Sequence, residues 1–284
     1  MVKESLRILV PLDGSAEAEG ILAAVLPLAR LKPVRLTLLA AVPKDASLRS
    51  TESYLAKAER ALERKGIEGS TKVCVGDPVT AILRQASPAR ADFLAMTTHG
   101  RTGLRRLLMG SIAEEVVRRA AIPLIVSRPR CRMEGWNHVV TLDGSPQAEA
   151  VLDDVLPLTR LLGATLHLLH VEPKDPLFGI HRESGKARDA DARSYLERLA
   201  AQARARAVSV VVAVRRGAPG PEILRYATQV RAGLVAMATH GRTGLRRALL
   251  GSVAEAVLRK AACPLLLRRV NGASRPIEPG TVFT

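Results

Sequence analysis

The sequence predicts an α/β fold made twice: two doubly wound domains, each a five-stranded parallel sheet with helices on both faces. Three observations carry this. Short aliphatic runs alternate with longer amphipathic stretches, the pattern of strand–helix–strand units. Hydrophobic residues make up 47% of the chain and aromatic residues only 2%, so the cores are built of Leu, Val, Ile and Ala, as buried parallel strands require. The chain also repeats itself, and its 284 residues fit two domains of about 100–200 residues each.

The repeat is extensive. ILVPLDGSAEAEGILAAVLPLARL (8–31) aligns with HVVTLDGSPQAEAVLDDVLPLTRL (138–161), and LTLLAAVP (36–43) with LHLLHVEP (166–173). GDPVTAILRQA (76–86) aligns with GAPGPEILRYA (217–227), and SIAEEVVRRAAIPLIV (111–126) with SVAEAVLRKAACPLLL (252–267). The nonapeptide THGRTGLRR stands unchanged at 98–106 and 239–247. The offset between copies is 130 before the second helix and 141 after it, so the second copy carries an insertion of 11 residues. Domain 1 is expected at 1–128, a Pro/Arg/Gly linker at 129–136, domain 2 at 137–270 and an aperiodic tail at 271–284.

In the first copy, aliphatic runs predict strands at 7–12, 34–42, 71–75, 93–97 and 124–126. Amphipathic stretches predict helices at 16–30, 51–65, 79–86 and 112–120. Pro27 and Pro157 fall late in the first helix of each copy and predict a kink there, because proline lacks the N–H and clashes with the preceding turn.

In a sheet of order 3-2-1-4-5, ligands bind beyond the carboxyl ends of the strands, at the crevice between strands 1 and 4. After strand 1 come PLDGS (11–15) and TLDGS (141–145), which place Pro11, Leu12 and Asp13, and Thr141, Leu142 and Asp143, at the strand tips. Such a carboxylate either receives hydrogen bonds from a ligand or starts the helix through an Asx turn. Ser15 and Ser145 follow as N-caps. After strand 4 comes MTTHGRTGLRRLLMGSIAEE (96–115), matched by MATHGRTGLRRALLGSVAEA (237–256). Glycines let backbone N–H groups approach an anion, and the following helix adds open N–H donors and a positive dipole end. Arg101, Arg105 and Arg106, and Arg242, Arg246 and Arg247, add charge. SIAE and SVAE read as capping boxes with Ser111 and Ser252 as N-caps and Glu114 and Glu255 at N3.

These motifs together (DGS…AE after strand 1, LLHVEP at strand 2, THGRTGLRR…GS…AE with CPLLL at the end) resemble the universal stress protein family, twice in tandem. The resemblance implies a Rossmann-like fold, with the two halves paired as an internal pseudo-dimer and a further homodimer as a partner arrangement. Its ATP-binding members carry Gly, two residues, Gly, nine residues, then Gly-Ser or Gly-Thr. Here Gly100 with Gly110-Ser111, and Gly241 with Gly251-Ser252, match the later part, while Thr97 and Ala238 stand where the first glycine belongs. By similarity, Asp13 and Asp143 hold ribose or adenine, and Ala41 and Val171 touch adenine. Met96, His99, Gly100, Arg101, Gly110, Ser111 and Ile112, with Met237, His240, Gly241, Arg242, Gly251, Ser252 and Val253, line the phosphate side. The smaller Ala238 and the family-like Val171 rank the second copy as the better site.

The expected function is a nucleotide-binding stress-response sensor or scaffold, with ATP (or AMP or ADP) as cofactor and Mg2+ as its companion ion. A dimerisation module of the same fold that binds no nucleotide is the alternative. No Walker loop and no metal-spaced His/Cys/Asp/Glu cluster occurs, so catalysis is at most a weak ATPase. A net charge of +16 favours polyanions, but the arginines are spread along helix faces, where a solvated basic surface is the plainer account. Nucleic acid is disfavoured because no aromatic stacking platform accompanies the charge. No apolar stretch reaches the roughly 18 residues of a membrane span. The N-terminus lacks a signal-peptide pattern, so the expected location is cytoplasmic. Cys74 and Cys263 read as core residues, and Cys131, in the polar linker, as an exposed thiol.

Overall fold

A computed structural model describes residues 6–30, 34–43, 48–87, 90–98, 109–129, 131, 133, 135–173, 182–239 and 250–269. The chain divides into two compact units, one of residues 1–130 with 269–284, the other of residues 131–268.

In the first unit, β1 (Leu6–Pro11), β2 (Val34–Val42), β3 (Gly69–Val75), β4 (Phe93–Thr97) and β5 (Leu124–Ser127) form the strands. Their order is β3-β2-β1-β4-β5, and every pairing is parallel. β4 and β5 are buried along their whole length, whereas the edge strand β3 is largely exposed and polar. A continuous apolar run marks a strand covered on both faces, and a polar run on an edge discourages pairing with other chains.

The helices are α1 (Ala16–Glu19), α2 (Leu22–Ala29), α3 (Leu48–Glu63), α4 (Pro78–Gln85) and α5 (Ser111–Arg119). Crossovers between parallel strands are right-handed. Reversing the direction of strand addition after β3 therefore moves α4 and α5 to the face opposite α1, α2 and α3. Each capped start is legible in sequence: Ser15 caps α1 by accepting from Ala18 N, and Asp77 caps α4 by accepting from Thr80 N, ahead of Pro78.

The second unit repeats this plan with β6 (Asn137–Thr141), α6 (Pro146–Glu149), α7 (Val151–Leu162), β7 (Thr165–Glu172), α8 (Arg182–Arg204), β8 (Ser209–Arg216), α9 (Pro219–Gln229), β9 (Ala232–Ala238), α10 (Ser252–Lys260) and β10 (Leu265–Arg268). Its strands run β8-β7-β6-β9-β10, again all parallel. α8 has 23 residues where α3 has 16, which locates much of the insertion there.

Two expectations require correction. The helix predicted at 16–30 is two helices, α1 and α2, and the interruption lies at Gly20 and Ile21 rather than at Pro27. Tight three-residue bonds close the junction: Ile21 N donates to Ala18 O at 3.2 Å and Ala24 N to Ile21 O at 2.9 Å. The second unit breaks likewise at Ala150, while Pro157 sits within α7. Cys131, expected to be exposed, is buried, with its thiol donating to Ala262 O at 3.0 Å. Burial, with Cys131 nearby, pushes the Cys263 thiol up to about 12, so it is not a nucleophile at neutral pH. Gly135 enters β6 at φ +104, where an added Cβ would lie 2.5 Å from Arg231 O, so the entry to the second sheet requires glycine. Among the described residues, no helix is long and apolar enough to cross a membrane.

Candidate functional site

At the end of β1 the chain stays in register for one more residue, with Leu12 N donating to Leu39 O at 2.7 Å. It then turns through Gly14 at φ +81, a conformation that favours glycine. Asp13 Oδ1 accepts from Ser15 N at 2.9 Å and from Ser15 Oγ at 2.6 Å. Ser15 Oγ in turn accepts from Ala18 N at 3.1 Å. The second unit reproduces the same turn: Asp143 Oδ1 takes Ser145 N at 3.0 Å and Ser145 Oγ at 2.6 Å. Both carboxylates are thus fixed at the strand tip by an Asx turn.

Tyr54 of α3 reaches the same corner, donating to Glu19 Oε1 at 2.9 Å. Burial, then the Glu19 carboxylate, and more weakly Asp13, hold its phenol well above the ordinary range, so it stays a neutral donor. Tyr195 stands in the matching place in the second unit. Burial and then the carboxylates of Glu149 and Asp143 raise it in the same way. Sequence reasoning passed over this pair. The signal was available, because Tyr54 and Tyr195 are separated by the same 141 residues as the later half of the repeat.

After β4, Thr98 N donates to Ser127 O at 2.9 Å, and the Thr98 carbonyl accepts from Gly110 N at 2.8 Å. Thr239 repeats this with Arg268 O at 2.9 Å and Gly251 N at 2.7 Å. These bonds close the two ends of each glycine-bearing loop on each other. His99, Gly100, Arg101, Arg105 and Arg106 lie outside the described residues, as do His240, Gly241, Arg242, Arg246 and Arg247.

The capping boxes are not formed. Gly110, extended at φ −71 and ψ 156, is the N-cap of α5, and its carbonyl accepts from Glu114 N at 2.9 Å. Ser111 is therefore the first helical residue, and no side chain caps the helix. Gly251 and Ser252 show the same one-residue shift in α10. Among the described residues no side chain bonds the first-turn N–H groups, where the positive end of the helix dipole lies. Gly110 is not demanded by the protein itself, because an added Cβ would meet only Thr98 O at 3.8 Å.

β1, β2, β4, α4 and α5 together enclose a cavity of about 260 Å³. Of the residues singled out from sequence, Pro11, Leu12, Asp13 and Ala41 line it on the β1–β2 side. Met96, Thr97, Gly110, Ser111 and Ile112 line it on the β4–α5 side. The cavity adds Ala18, Leu39, Pro78, Ile82, Thr98 and Ala113, which sequence reasoning missed. Leu39 was recoverable, being two positions before Ala41 on one strand and so on the same face. Pro78 and Ile82 come from a crossover whose placement depends on tertiary structure. The walls are mostly aliphatic, and Asp13 and the Ser111 start of α5 are the polar features that line it beside Thr97 and Thr98. That polarity suits a ligand with a flat apolar part and an anionic part. Among the described residues, no group of three or more His, Cys, Asp or Glu side chains could hold a metal ion.

A model of the universal stress protein family matches residues 5–128 and again residues 137–269. The chain belongs to the universal stress protein family. A universal stress protein of Mycolicibacterium smegmatis is 28% identical over 291 residues, covering 92% of this chain and 96% of that protein. One from Methanocaldococcus jannaschii is 28% identical over 134 residues, covering 45% of this chain and 79% of that protein. Among solved structures, a universal stress protein from Archaeoglobus fulgidus superposes with a TM-score of 0.72 at 20% identity, covering 94% of this chain and 99% of that one. A universal stress protein domain is thus present twice, and the Mycolicibacterium smegmatis relative matches along nearly its whole length, whereas the Methanocaldococcus jannaschii relative matches less than half of this chain.

In the second universal stress protein domain, Thr141, Leu142 and Asp143 end β6, Val171 lies near the end of β7, and Met237 and Ala238 end β9. Gly251, Ser252 and Val253 begin α10. Here β7 departs from β2. His170 replaces Ala40, and its Nδ1 approaches Leu142 O at 2.7 Å while Nε2 faces Glu172 Oε2 at 3.3 Å. An imidazole is therefore bonded directly to the backbone of the β6 tip.

Proposed function

We propose that this universal stress protein binds an adenine nucleotide (ATP, or AMP or ADP) at the strand-tip cavity and acts as a sensor or scaffold with little or no turnover. The observation that carries the reading is that the start of α5, which has no side-chain cap among the described residues, lines the same cavity as Asp13. Phosphate is the ligand chemistry that fits open N–H groups at a helix start. Asp13 would accept from ribose hydroxyls through lone pairs that its Asx turn does not use, and Ala41, Leu39 and Ile82 would flank the base. Ser111 would donate its hydroxyl to phosphate oxygen. Mg2+ would be held chiefly by the phosphates, as is usual for that ion. Asp13 is the one acidic or basic side chain among the described lining residues, and in this reading it is engaged by the ribose, so among those residues no other side chain serves as a general base for water.

Titration calorimetry with ATP, ADP and AMP tests this. Micromolar to sub-millimolar binding, lowered at least about tenfold by exchanging Asp13 and Asp143 together for Ala, is expected. Absence of heat at millimolar nucleotide would overturn it. A second reading, a domain-pairing module that binds no nucleotide, is favoured by one observation. Thr97 lines the cavity where the nucleotide-binding motif of the family has glycine. Exchange of Thr97 for Gly separates the two: a nucleotide-binding chain gains affinity, and a pairing module stays silent.

A further inference from the structure

The first domain has a second cavity at the opposite end of α4. It measures about 410 Å³ and opens beside the amino-terminal halves of β1, β2 and β3. Strand register puts its lining on one face, with Leu9 opposite Thr37, Thr37 opposite Ser70, and Leu39 opposite Lys72. α4 ends over this face at Gln85, and the turn after it brings in Arg90.

The charges there are unevenly matched. Arg7 is paired with Asp92, through Nη2 to Oδ1 at 3.1 Å and the backbone N to Oδ2 at 2.9 Å. Lys72 and Arg90 instead converge on one neutral atom. Gln85 Oε1, on a buried side chain, accepts from Lys72 Nζ at 3.1 Å and from Arg90 Nη1 at 2.9 Å. Neither cation pairs with a carboxylate among the described residues. Two like charges held by one amide oxygen repel, and a dianion placed between them removes that repulsion. The carboxyl end of α4 adds only about half a negative charge, so the groove stays positive. Hydroxyls line its wall, with Thr37 Oγ1 and Ser70 Oγ 3.2 Å apart. They supply donors of the kind that complete a phosphate shell.

The second domain offers an internal comparison, because the same positions are filled. His167 stands for Thr37, Tyr226 for Gln85, Asn137 for Arg7 and Ala213 for Lys72. His167 Nδ1 meets the Tyr226 hydroxyl at 2.9 Å, and Nε2 meets Asn137 Oδ1 at 3.2 Å. Arg215 lies over the Tyr226 ring at 5.0 Å. One domain therefore fills this position with mutually bonded His167, Tyr226 and Asn137 side chains beneath Arg215, although Arg231 keeps the place of Arg90, and the other leaves it open with Lys72 and Arg90.

We propose that the first domain carries a second anion site at this groove, taking a phosphoryl-bearing small molecule through Lys72, Arg90 and the Thr37 and Ser70 hydroxyls. It is independent of the strand-tip cavity, which lies at the other end of α4. The test is a titration of the full chain with inorganic phosphate and pyrophosphate at about 0.15 M salt, followed residue by residue through backbone amide resonances. Saturable shifts at Ser70, Thr71, Lys72 and Ala91 are expected, distinct from any at residues 110–113. Exchanging Lys72 and Arg90 together for Ala weakens them at least about tenfold, and exchanging Asp13 for Ala leaves them within about twofold. Lys72 and Arg90 are exposed, so the double variant folds, and a circular dichroism melt verifies it. A second variant, with Lys72 and Arg90 both changed to Gln, removes the charge while keeping an amide donor on a somewhat shorter side chain and should show the same loss. Shifts confined to residues 110–113, or unaltered in both variants, overturn the proposal.

Discussion

Thr159 has one hydroxyl proton and gives it to Val155 O at 2.9 Å, so its bond to His138 Nδ1 at 2.8 Å must be one it accepts. His138 is therefore the Nδ1–H tautomer, and its buried Nε2 has no hydrogen-bond partner among the described residues. Burial lowers its pKa from 6.5 to about 4. The folded state resists protonation, so His138 contributes stability above pH 6.5 that is lost as pH falls towards 4. Asp154, on the next helix, runs the other way. Burial, only partly offset by Arg268 at 2.7 Å, raises its pKa from 3.8 to about 6. Its contribution is present below the unfolded value and lost as pH rises through 6. The two slopes oppose each other between about pH 4 and 6. The first domain has Ile8 and Ala29 where His138 and Thr159 stand. Exchanging His138 for Ile together with Thr159 for Ala should be near neutral at pH 5. The stability difference from wild type should shift towards wild type by up to about 3 kcal/mol between pH 4 and 6.5. Urea unfolding across that range measures it, and a difference that does not vary with pH would discount His138.

Two serines that open helices look alike in sequence and differ as elements. Ser15 is bonded on both sides of its hydroxyl, whereas Ser111, one residue inside α5, caps nothing. Ser15→Ala should cost about 1 kcal/mol of stability, and Ser111→Ala less than about 0.5 kcal/mol. Thermal melts of the two variants separate them. In calorimetry, the second should weaken nucleotide binding although it barely alters the fold. The capping box misleads because SIAE and SVAE satisfy the pattern at every letter, yet the preceding glycine adopts the extended N-cap conformation first. The helix break has a similar lesson. Pro27 and Pro157 are the conspicuous letters, but the tight bonds at Gly20 and Ile21 set the junction.

At the scale of the whole chain, the repeat made most of the fold legible. Strand positions and parallel pairing follow from the alternation of elements, whereas the 3-2-1-4-5 order, and with it the place of the crevice, is an assumption in sequence and comes from the strand pairing itself. Asp13 and Gly110 could be named from the turn after strand 1 and the glycine-bearing loop before a helix, whereas Ala41 and Met96 could be named only through the family resemblance. What could not be read is where the two copies part company. Thr37 and His167, or Gln85 and Tyr226, are unremarkable as letters, and their meaning arises only when three strands and a helix bring them together. If the chain binds nucleotide as proposed, ligand at a hundredfold its dissociation constant should stabilise the domain that holds it by about 2.7 kcal/mol. Differential scanning calorimetry would register this as an upward shift of that domain's transition. Superimposable traces with and without ATP would count against binding.

The hydrogen bond from Gly110 N to Thr98 O, and its twin from Gly251 N to Thr239 O, have a consequence for how such a chain can change over generations. Each acts as a clasp around an interval, 99–109 or 240–250, whose ends meet whatever letters lie between. Lengthening a clasped interval is thermodynamically mild, since doubling a loop adds only about 0.6 kcal/mol of closure cost. Met109 and Leu250, the last residues of the intervals, are buried in the core and belong to the scaffold rather than to the editable part. If the chain binds nucleotide as proposed, ligand preference can then drift in one half by changes within its interval while the clasp that closes it stays fixed.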